Sequence, residues 1–155
     1  MNLLAGPWPS TTLALSRWYK ASIDEVFEAF TNPELLRQWW GPRNFTIEDL
    51  SFPAVEGGEY RVRLRAPDGS TYAHSGTFQE VRRPDRLCYS WRWTEGPFPD
   101  DDTLVELDFH AEDGGTRVEL VHSRFPDRAT RDAHGGWVDS LERLTTWLAR
   151  GPGPG

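Results

Sequence analysis

Histidine is the side chain of this sequence best suited to proton transfer or to ligand recognition near neutral pH. His122 has the same strand parity as Val118 and Leu120, so its imidazole is expected to point inward. There it is a candidate proton donor, or a hydrogen-bonding partner for a ligand. His74 shares parity with Tyr72 and is expected to reach the same interior. The alternative for both is a core histidine whose nitrogens are satisfied by the protein.

The remaining histidines and the single cysteine indicate little chemistry. His110 lies on the polar face of a predicted strand, and His134 lies on the last predicted helix. No two of the four histidines have ligand spacing on one element, so no metal site is expected. Cys88 has no histidine within sequence reach, and we interpret it as an inert thiol in a reducing compartment.

Aromatic residues make up 13% of the chain, with eight tryptophans among them. Strand alternation places many of them on one face of a predicted sheet, which favours an aromatic pocket; a filled core is the alternative. Trp39 and Trp40 end a short predicted helix, where adjacent side chains point about 100° apart. One could anchor in the core while the other acts as a gate, or both could be packing anchors. The residues expected to line a cavity are Trp40, Tyr60, Val62, His74, Tyr89, Trp91, Phe109, Leu120, His122, Trp137 and Leu141.

Several function classes find no support in the sequence. The net charge of −7 argues against a nucleic-acid partner, which requires clustered basic residues. The alternating Arg61, Arg63 and Arg65 are predicted to form a solvated face paired with acids on the neighbouring strand. No nucleophile elbow, phosphate loop or dinucleotide fingerprint is present, so no cofactor is expected.

The elements that must position these residues follow from hydrophobic periodicity. A strand over 12–20 precedes a capping box at Ser22 and Glu25, a helix to about Thr31 and a second short helix over 34–39. Period-two alternation then predicts six strands between 45 and 122, separated by short turns. A stripe of Trp137, Leu141 and further leucines predicts a long helix over 127–150, weakened at positions 135 and 136 by glycine; a helix that begins at Gly136 is the alternative.

This order predicts an α+β fold in which a curved antiparallel sheet of six to seven strands grips the last helix. We expect one domain over 11–150, with flexible ends at 1–10 and 151–155. No stretch approaches a membrane span, and the first twelve residues lack a basic n-region, so a cytoplasmic protein is expected.

Five fragments in order resemble the START-like helix-grip superfamily, and more narrowly the family related to the C-terminal domain of the activator of heat-shock protein 90 ATPase. They are 27–34 with 39–42, 56–60, 83–87, 114–116 with His122, and Gly136 and Trp137 with Leu141 and Leu144. The resemblance extends over 11–149 and implies an internal, mostly apolar cavity between the sheet and the last helix. The full co-chaperone carries a further N-terminal domain that docks on the chaperone. Only about ten residues precede the first predicted strand here, so a chaperone partner is not expected.

Three functional hypotheses follow. The first is a non-enzymatic domain that binds a small hydrophobic or aromatic molecule. The second is a cyclase- or dehydratase-like enzyme, in which His122 or His74 moves a proton. The third, by analogy with the family, is a stress-related protein-interaction domain that uses its surface. A homodimer is compatible with the sequence, although no feature requires it.

Overall fold

A computed structural model of the protein describes residues 6–134 and 136–150. The elements in chain order are β1 (Leu13–Tyr19), α1 (Ile23–Thr31), α2 (Pro33–Leu36), β2 (Thr46–Ser51), β3 (Glu59–Arg65), β4 (Thr71–Arg82), β5 (Arg86–Glu95), β6 (Thr103–Glu112), β7 (Gly115–Ser123), α3 (Arg128–Asp132) and α4 (Gly136–Leu148). None of the helices within the described residues is long and apolar enough to cross a membrane. Of the ends predicted to be flexible, residues 1–5 and 151–155 lie outside the described part of the chain.

The seven strands form one antiparallel sheet in the order β1-β7-β6-β5-β4-β3-β2. β2 to β7 are sequential neighbours, as the predicted short turns require. β1 instead pairs with β7, from Leu13 opposite His122 to Tyr19 opposite Thr116. The two short helices therefore carry the chain from one edge of the sheet to the other. Together with the last helix, this is the predicted helix-grip architecture.

Strand alternation divides the sheet into a buried and a solvated face. In β3, Tyr60, Val62 and Leu64 are buried, whereas the arginines between them are exposed. The predicted pairing of those arginines is confirmed: Arg61 contacts Asp49 at 2.7 Å, and Arg65 contacts Glu48, both acids lying on β2. Arg63 also reaches Glu95 on β5, at 3.1 Å.

α1 starts and packs as its sequence predicts. The Ser22 hydroxyl accepts a hydrogen bond from the Glu25 backbone N–H at 3.2 Å, which caps the helix. Phe27 and Phe30 turn toward the sheet and meet the ring of Phe109 edge to face, with centroids 5.1 and 5.3 Å apart. α1 therefore fills one end of the concave face of the sheet.

The prediction of one continuous helix over 127–150 is wrong. The chain instead forms two helices, α3 and α4, and the second begins at Gly136, as the alternative prediction states. At Gly136 a Cβ would lie 3.1 Å from Pro42 Cγ, so the first residue of α4 packs tightly against Pro42 and leaves little room for a side chain. Between the two helices His134 turns inward, where it is 6% exposed. The predicted weak point also includes position 135, which lies outside the described residues.

The second short helix is likewise shorter than predicted. α2 ends at Leu36 instead of position 39, although the Trp40 backbone N–H still donates to Leu36 O at 3.0 Å. This turn and the following Gly41 bring residues 40–45 against α4. The Gly41 backbone N–H donates to Ser140 Oγ on α4 at 2.9 Å. The cover of the sheet is thus built from α1, the 40–45 segment and α4.

Candidate functional site

A cavity of about 220 Å³ lies where the 40–45 segment, strands β3 to β5 and the start of α4 converge. Nine of its lining residues carry rings: Trp40, Phe45, Tyr72, His74, Trp91, Trp93, Phe98, His134 and Trp137. The others are small or aliphatic: Gly41, Pro42, Leu64, Ala133, Gly136 and Ser140. No acidic or basic side chain other than the two imidazoles occurs among these described lining residues, so the site suits a neutral, mostly apolar molecule.

The adjacent tryptophans that follow α2, Trp39 and Trp40, lie in different environments. Trp39 is fully buried, and its indole Nε1 donates to Ala29 O at 3.0 Å, so it anchors the helix in the core. Trp40 lines the cavity, stacked near Trp91 with centroids 6.0 Å apart and edge-on to Trp137 at 5.1 Å. Because Trp40 is only 3% exposed, it forms an inner wall of the cavity.

His74 and Trp91 stand side by side on β4 and β5 with their rings stacked at 3.6 Å, only 6° from parallel. His74 Nδ1 lies 3.4 Å from the oxygen of the Tyr60 hydroxyl, whose hydrogen is donated to Ser90 O at 2.9 Å. His74 Nε2 and Trp91 Nε1 are buried and lack a hydrogen-bond partner. Complete burial holds the pKa of His74 well below its ordinary value, so the ring is neutral at pH 7.

His122 occupies the buried position that its parity predicts, but its nitrogens are both engaged. Because an indole N–H can only donate, the Trp137 Nε1 bond of 3.1 Å makes His122 Nδ1 an acceptor. The hydrogen of the neutral ring is therefore on Nε2, which faces Thr103 Oγ1 at 2.7 Å. Thr103 in turn donates to Trp91 O at 2.9 Å. Burial, followed by the nearby His134 and His74, lowers the pKa of His122 well below its usual range.

His134 is fixed by the same logic at the break between α3 and α4. Trp93 Nε1 donates to its Nε2 at 2.7 Å, so the ring hydrogen is on Nδ1 and points to Thr130 O at 2.8 Å. Burial lowers its pKa, and the bond to Thr130 opposes that shift. His134 therefore holds the α3–α4 turn against β5 and closes one side of the cavity.

The structure brings four of the eleven predicted lining residues to this cavity: Trp40, His74, Trp91 and Trp137. The others do not line it and are buried elsewhere: Tyr60, Val62, Tyr89, Phe109, Leu120, His122 and Leu141. The aromatic residues among them interlock with rings that the sequence did not place there. Phe109 meets α1, and Tyr89 packs against Phe52 at 6.0 Å and Phe78 at 5.4 Å. A ligand-binding role for these buried residues stays a prediction.

Sequence reasoning missed several lining residues because they come from irregular segments. Phe45 follows a turn, and Phe98 lies in the 96–102 loop that reads as polar. Phe98 stacks on Trp93 with centroids 4.5 Å apart and extends the aromatic wall. A large apolar side chain isolated in a polar loop was the available signal. The sequence gives no comparable signal for His134, because the helical pattern over 127–150 predicts a continuous helix through this position.

Other parts of the molecule offer less to a ligand. A larger concavity of about 710 Å³ lies on the solvated face of the sheet, but it is open and polar. Its Arg92 already pairs with Asp102 through bonds of 2.9 and 3.0 Å. Within the described residues no three His, Cys, Asp or Glu side chains cluster as metal ligands. Cys88 is buried, and burial raises the pKa of its thiol, which disfavours the reactive thiolate.

Comparison with known proteins agrees with this architecture. Solved structures from Rhodobacter sphaeroides (25% identity, TM-score 0.82, 96% of this chain and 99% of that one) and Chromobacterium violaceum (26%, 0.82, 90% and 98%) are similar over almost their whole length. A Silicibacter pomeroyi protein described as AHSA1 shares the fold at 23% identity and TM-score 0.79, over 89% of this chain and 97% of that one. No curated protein matches the chain. Residues 20–149 match the family model for Activator of Hsp90 ATPase homolog 1-like proteins, and the chain belongs to that family.

Proposed function

We propose that this protein binds a small, neutral aromatic molecule in the cavity between the sheet and α4. The observation that carries the proposal is a cavity of about 220 Å³ walled largely by aromatic rings. Protein interiors are close-packed, so a space of this size inside an aromatic cluster is not ordinary core. A dry cavity of about 150 Å³ accommodates benzene. The present one therefore suits a molecule of one or two rings.

The geometry favours binding over acid–base catalysis. His122 does not line the cavity, and its Nδ1 lone pair is occupied by Trp137. His74 does line it, but its lowered pKa makes the ring a weak base. General acid–base catalysis is most efficient when the pKa lies near the working pH. The enzyme and protein-interaction hypotheses stay predictions without a specific observation in their favour.

The experiment is native mass spectrometry of the purified protein, compared with its denatured mass, followed by titration with indole, naphthalene and biphenyl. Four tryptophans line the cavity, so their fluorescence reports occupancy. We expect a small mass that is lost on unfolding, or saturable quenching by at least one probe. A bare protein mass together with no saturable response to any probe would contradict the proposal.

Leu64→Trp provides the matched test of location. Leu64 lines the cavity, and the added ring should block it at a stability cost of about 1–3 kcal/mol from overpacking. Leu120→Val is the control, because Leu120 is fully buried away from the cavity and the change costs a comparable ~1 kcal/mol. Probe binding should be lost in Leu64→Trp and kept in Leu120→Val.

A further inference from the structure

A groove of about 250 Å³ lies where the segment that follows α2 meets the C-terminal half of α4. It is separate from the aromatic cavity and shares no lining residue with it. Three of its lining residues are arginines: Arg43, Arg143 and Arg150. The whole chain carries a net charge of −7, so this groove has the opposite sign to the molecule around it.

The nearby acidic side chains do not neutralise these arginines. Glu142, the acidic residue of the lining, pairs at 2.9 Å with Arg17, which lies outside the groove. Asp139 accepts a hydrogen bond from the Arg43 backbone N–H at 3.2 Å, but within the described residues it forms no ion pair. The three arginines of the lining likewise have no ion pair in that part of the chain. With Arg17 included, this region contains four arginines and two carboxylates.

Arg143 holds a fixed position in the groove. Its Nη1 donates to the three backbone carbonyls of residues 40–42 at 3.0 to 3.3 Å, and these bonds orient the guanidinium without cancelling its charge. Burial, followed by the nearby Arg43 guanidinium, lowers the pKa of Arg143. Arg43 also lowers the pKa of Glu142, so its charge lies close to both residues. Like charges held near each other are unfavourable, and a bound anion relieves that repulsion.

We propose that this groove binds the phosphate group of a small organic molecule. A guanidinium pairs with phosphate oxygens through two parallel N–H donors, and one phosphate has oxygens for more than one arginine. Nε and Nη2 of Arg143 make no hydrogen bond within the described residues, so one edge of this guanidinium is unpaired. Trp147, half-buried in the same lining, provides a flat apolar wall for the rest of the ligand. This site and the aromatic cavity do not depend on each other.

The test compares phenyl phosphate, inorganic phosphate and phenyl sulfate by isothermal titration calorimetry at pH 7.5 and constant ionic strength. Phenyl sulfate has the same shape as phenyl phosphate but carries one negative charge instead of nearly two. We expect phenyl phosphate to bind most tightly, about 2- to 10-fold above inorganic phosphate, because its ring packs on Trp147. Equal affinity of the two phosphates would overturn the organic ligand in favour of free phosphate. Equal affinity of phenyl sulfate and phenyl phosphate, or no binding of either phosphate, would overturn the phosphate site.

A variant pair tests the location of the site. Arg43→Gln removes one of the two adjacent charges, and because Arg43 is exposed the fold should be kept. The affinity for phenyl phosphate should fall about tenfold or more, since a hydrogen bond to a charged group is lost. Arg128→Gln removes the same charge from an exposed arginine of α3 outside the lining, and should change the affinity by less than about twofold. An equal decrease in both variants would mean that the anion responds only to overall charge, and would overturn the proposal.

Discussion

At the level of single residues, hydrogen-bond geometry fixes which ring nitrogen of the buried histidines carries the hydrogen. His122 and His134 each accept from an indole N–H, and each directs its own N–H to a protein oxygen. Both rings therefore have one tautomer and no free nitrogen. His74 differs because its Nε2 has no hydrogen-bond partner, although its Nδ1 lies 3.4 Å from the Tyr60 hydroxyl. Of the three buried imidazoles, two are therefore held by the protein at both nitrogens and one is held at a single nitrogen.

The His122 chain allows a prediction about Thr103. Thr103→Val keeps the shape of the side chain but removes its hydroxyl. That hydroxyl accepts a hydrogen bond from His122 Nε2 and donates one to Trp91 O. Two buried groups lose their partner, and we expect the free energy of unfolding to fall by about 1–3 kcal/mol. Urea unfolding measures this free energy. The control is Thr46→Val at an exposed strand position, whose free energy of unfolding should stay within about 0.5 kcal/mol of the parent value. A Thr103→Val protein as stable as the parent would show that this chain contributes nothing.

At the level of elements, the cavity depends on how α4 holds the 40–45 segment. Arg143 on α4 donates from Nη1 to the carbonyls of Trp40 and Gly41, each at 3.0 Å, and to Pro42 O at 3.3 Å. These carbonyls follow α2, where no further helical turn satisfies them. One guanidinium therefore fixes the backbone that carries the Trp40 wall.

Arg143→Met should loosen that wall while keeping much of the aliphatic packing of the side chain. Losing hydrogen bonds to a charged donor is expected to lower the free energy of unfolding by about 1.5–3 kcal/mol. Binding of aromatic probes should weaken with it, since the ring of Trp40 is no longer held in place. Arg150→Met, the same change at an exposed position beyond α4, should alter neither quantity. Parent-like probe affinity in Arg143→Met would mean that the segment holds its position without the arginine.

The elements also show where the sequence was informative. Period-two alternation predicted the strands and their buried faces, because a strand on a half-buried sheet exposes every second residue. The break between α3 and α4 was not predictable in the same way. It depends on the close approach of Gly136 to Pro42 and on the bond from Trp93 to His134, contacts between residues far apart in the chain.

At the level of the whole molecule, the concave face of the sheet is filled at one end and hollow at the other. Parity identified the faces and, with them, the cavity residues His74 and Trp91, whereas Trp40 and Trp137 were predicted from the helical segments. It could not show that α1 and Phe52 would fill the space in front of Phe109 and Tyr89. Parity gives the direction of a side chain, whereas the position of a cavity depends on what the covering segments bring to meet it.

Three buried neutral histidines make the stability of the whole fold depend on pH. The pKa values of His74, His122 and His134 are all lowered in the folded protein by burial. Below an unfolded pKa of about 6.5, the unfolded chain binds protons that the native rings refuse, so stability falls as pH falls. Each ring contributes at most about 1.4 kcal/mol per pH unit. Between pH 7.5 and 5.5 we expect a loss of about 2–4 kcal/mol.

Urea unfolding across this pH range measures the loss, and His74→Phe provides its internal check. That variant lacks one of the three rings, so its stability should fall by about one third less over the same interval. His110→Phe, with its replacement on the exposed face, should keep all three buried rings and the parent slope. Paired carboxylates such as Asp102, whose pKa is held low by Arg92, lose their contribution only near or below pH 4 and do not distort the comparison. A flat profile from pH 7.5 to 5.5 would mean that the buried rings accept protons without opening the fold.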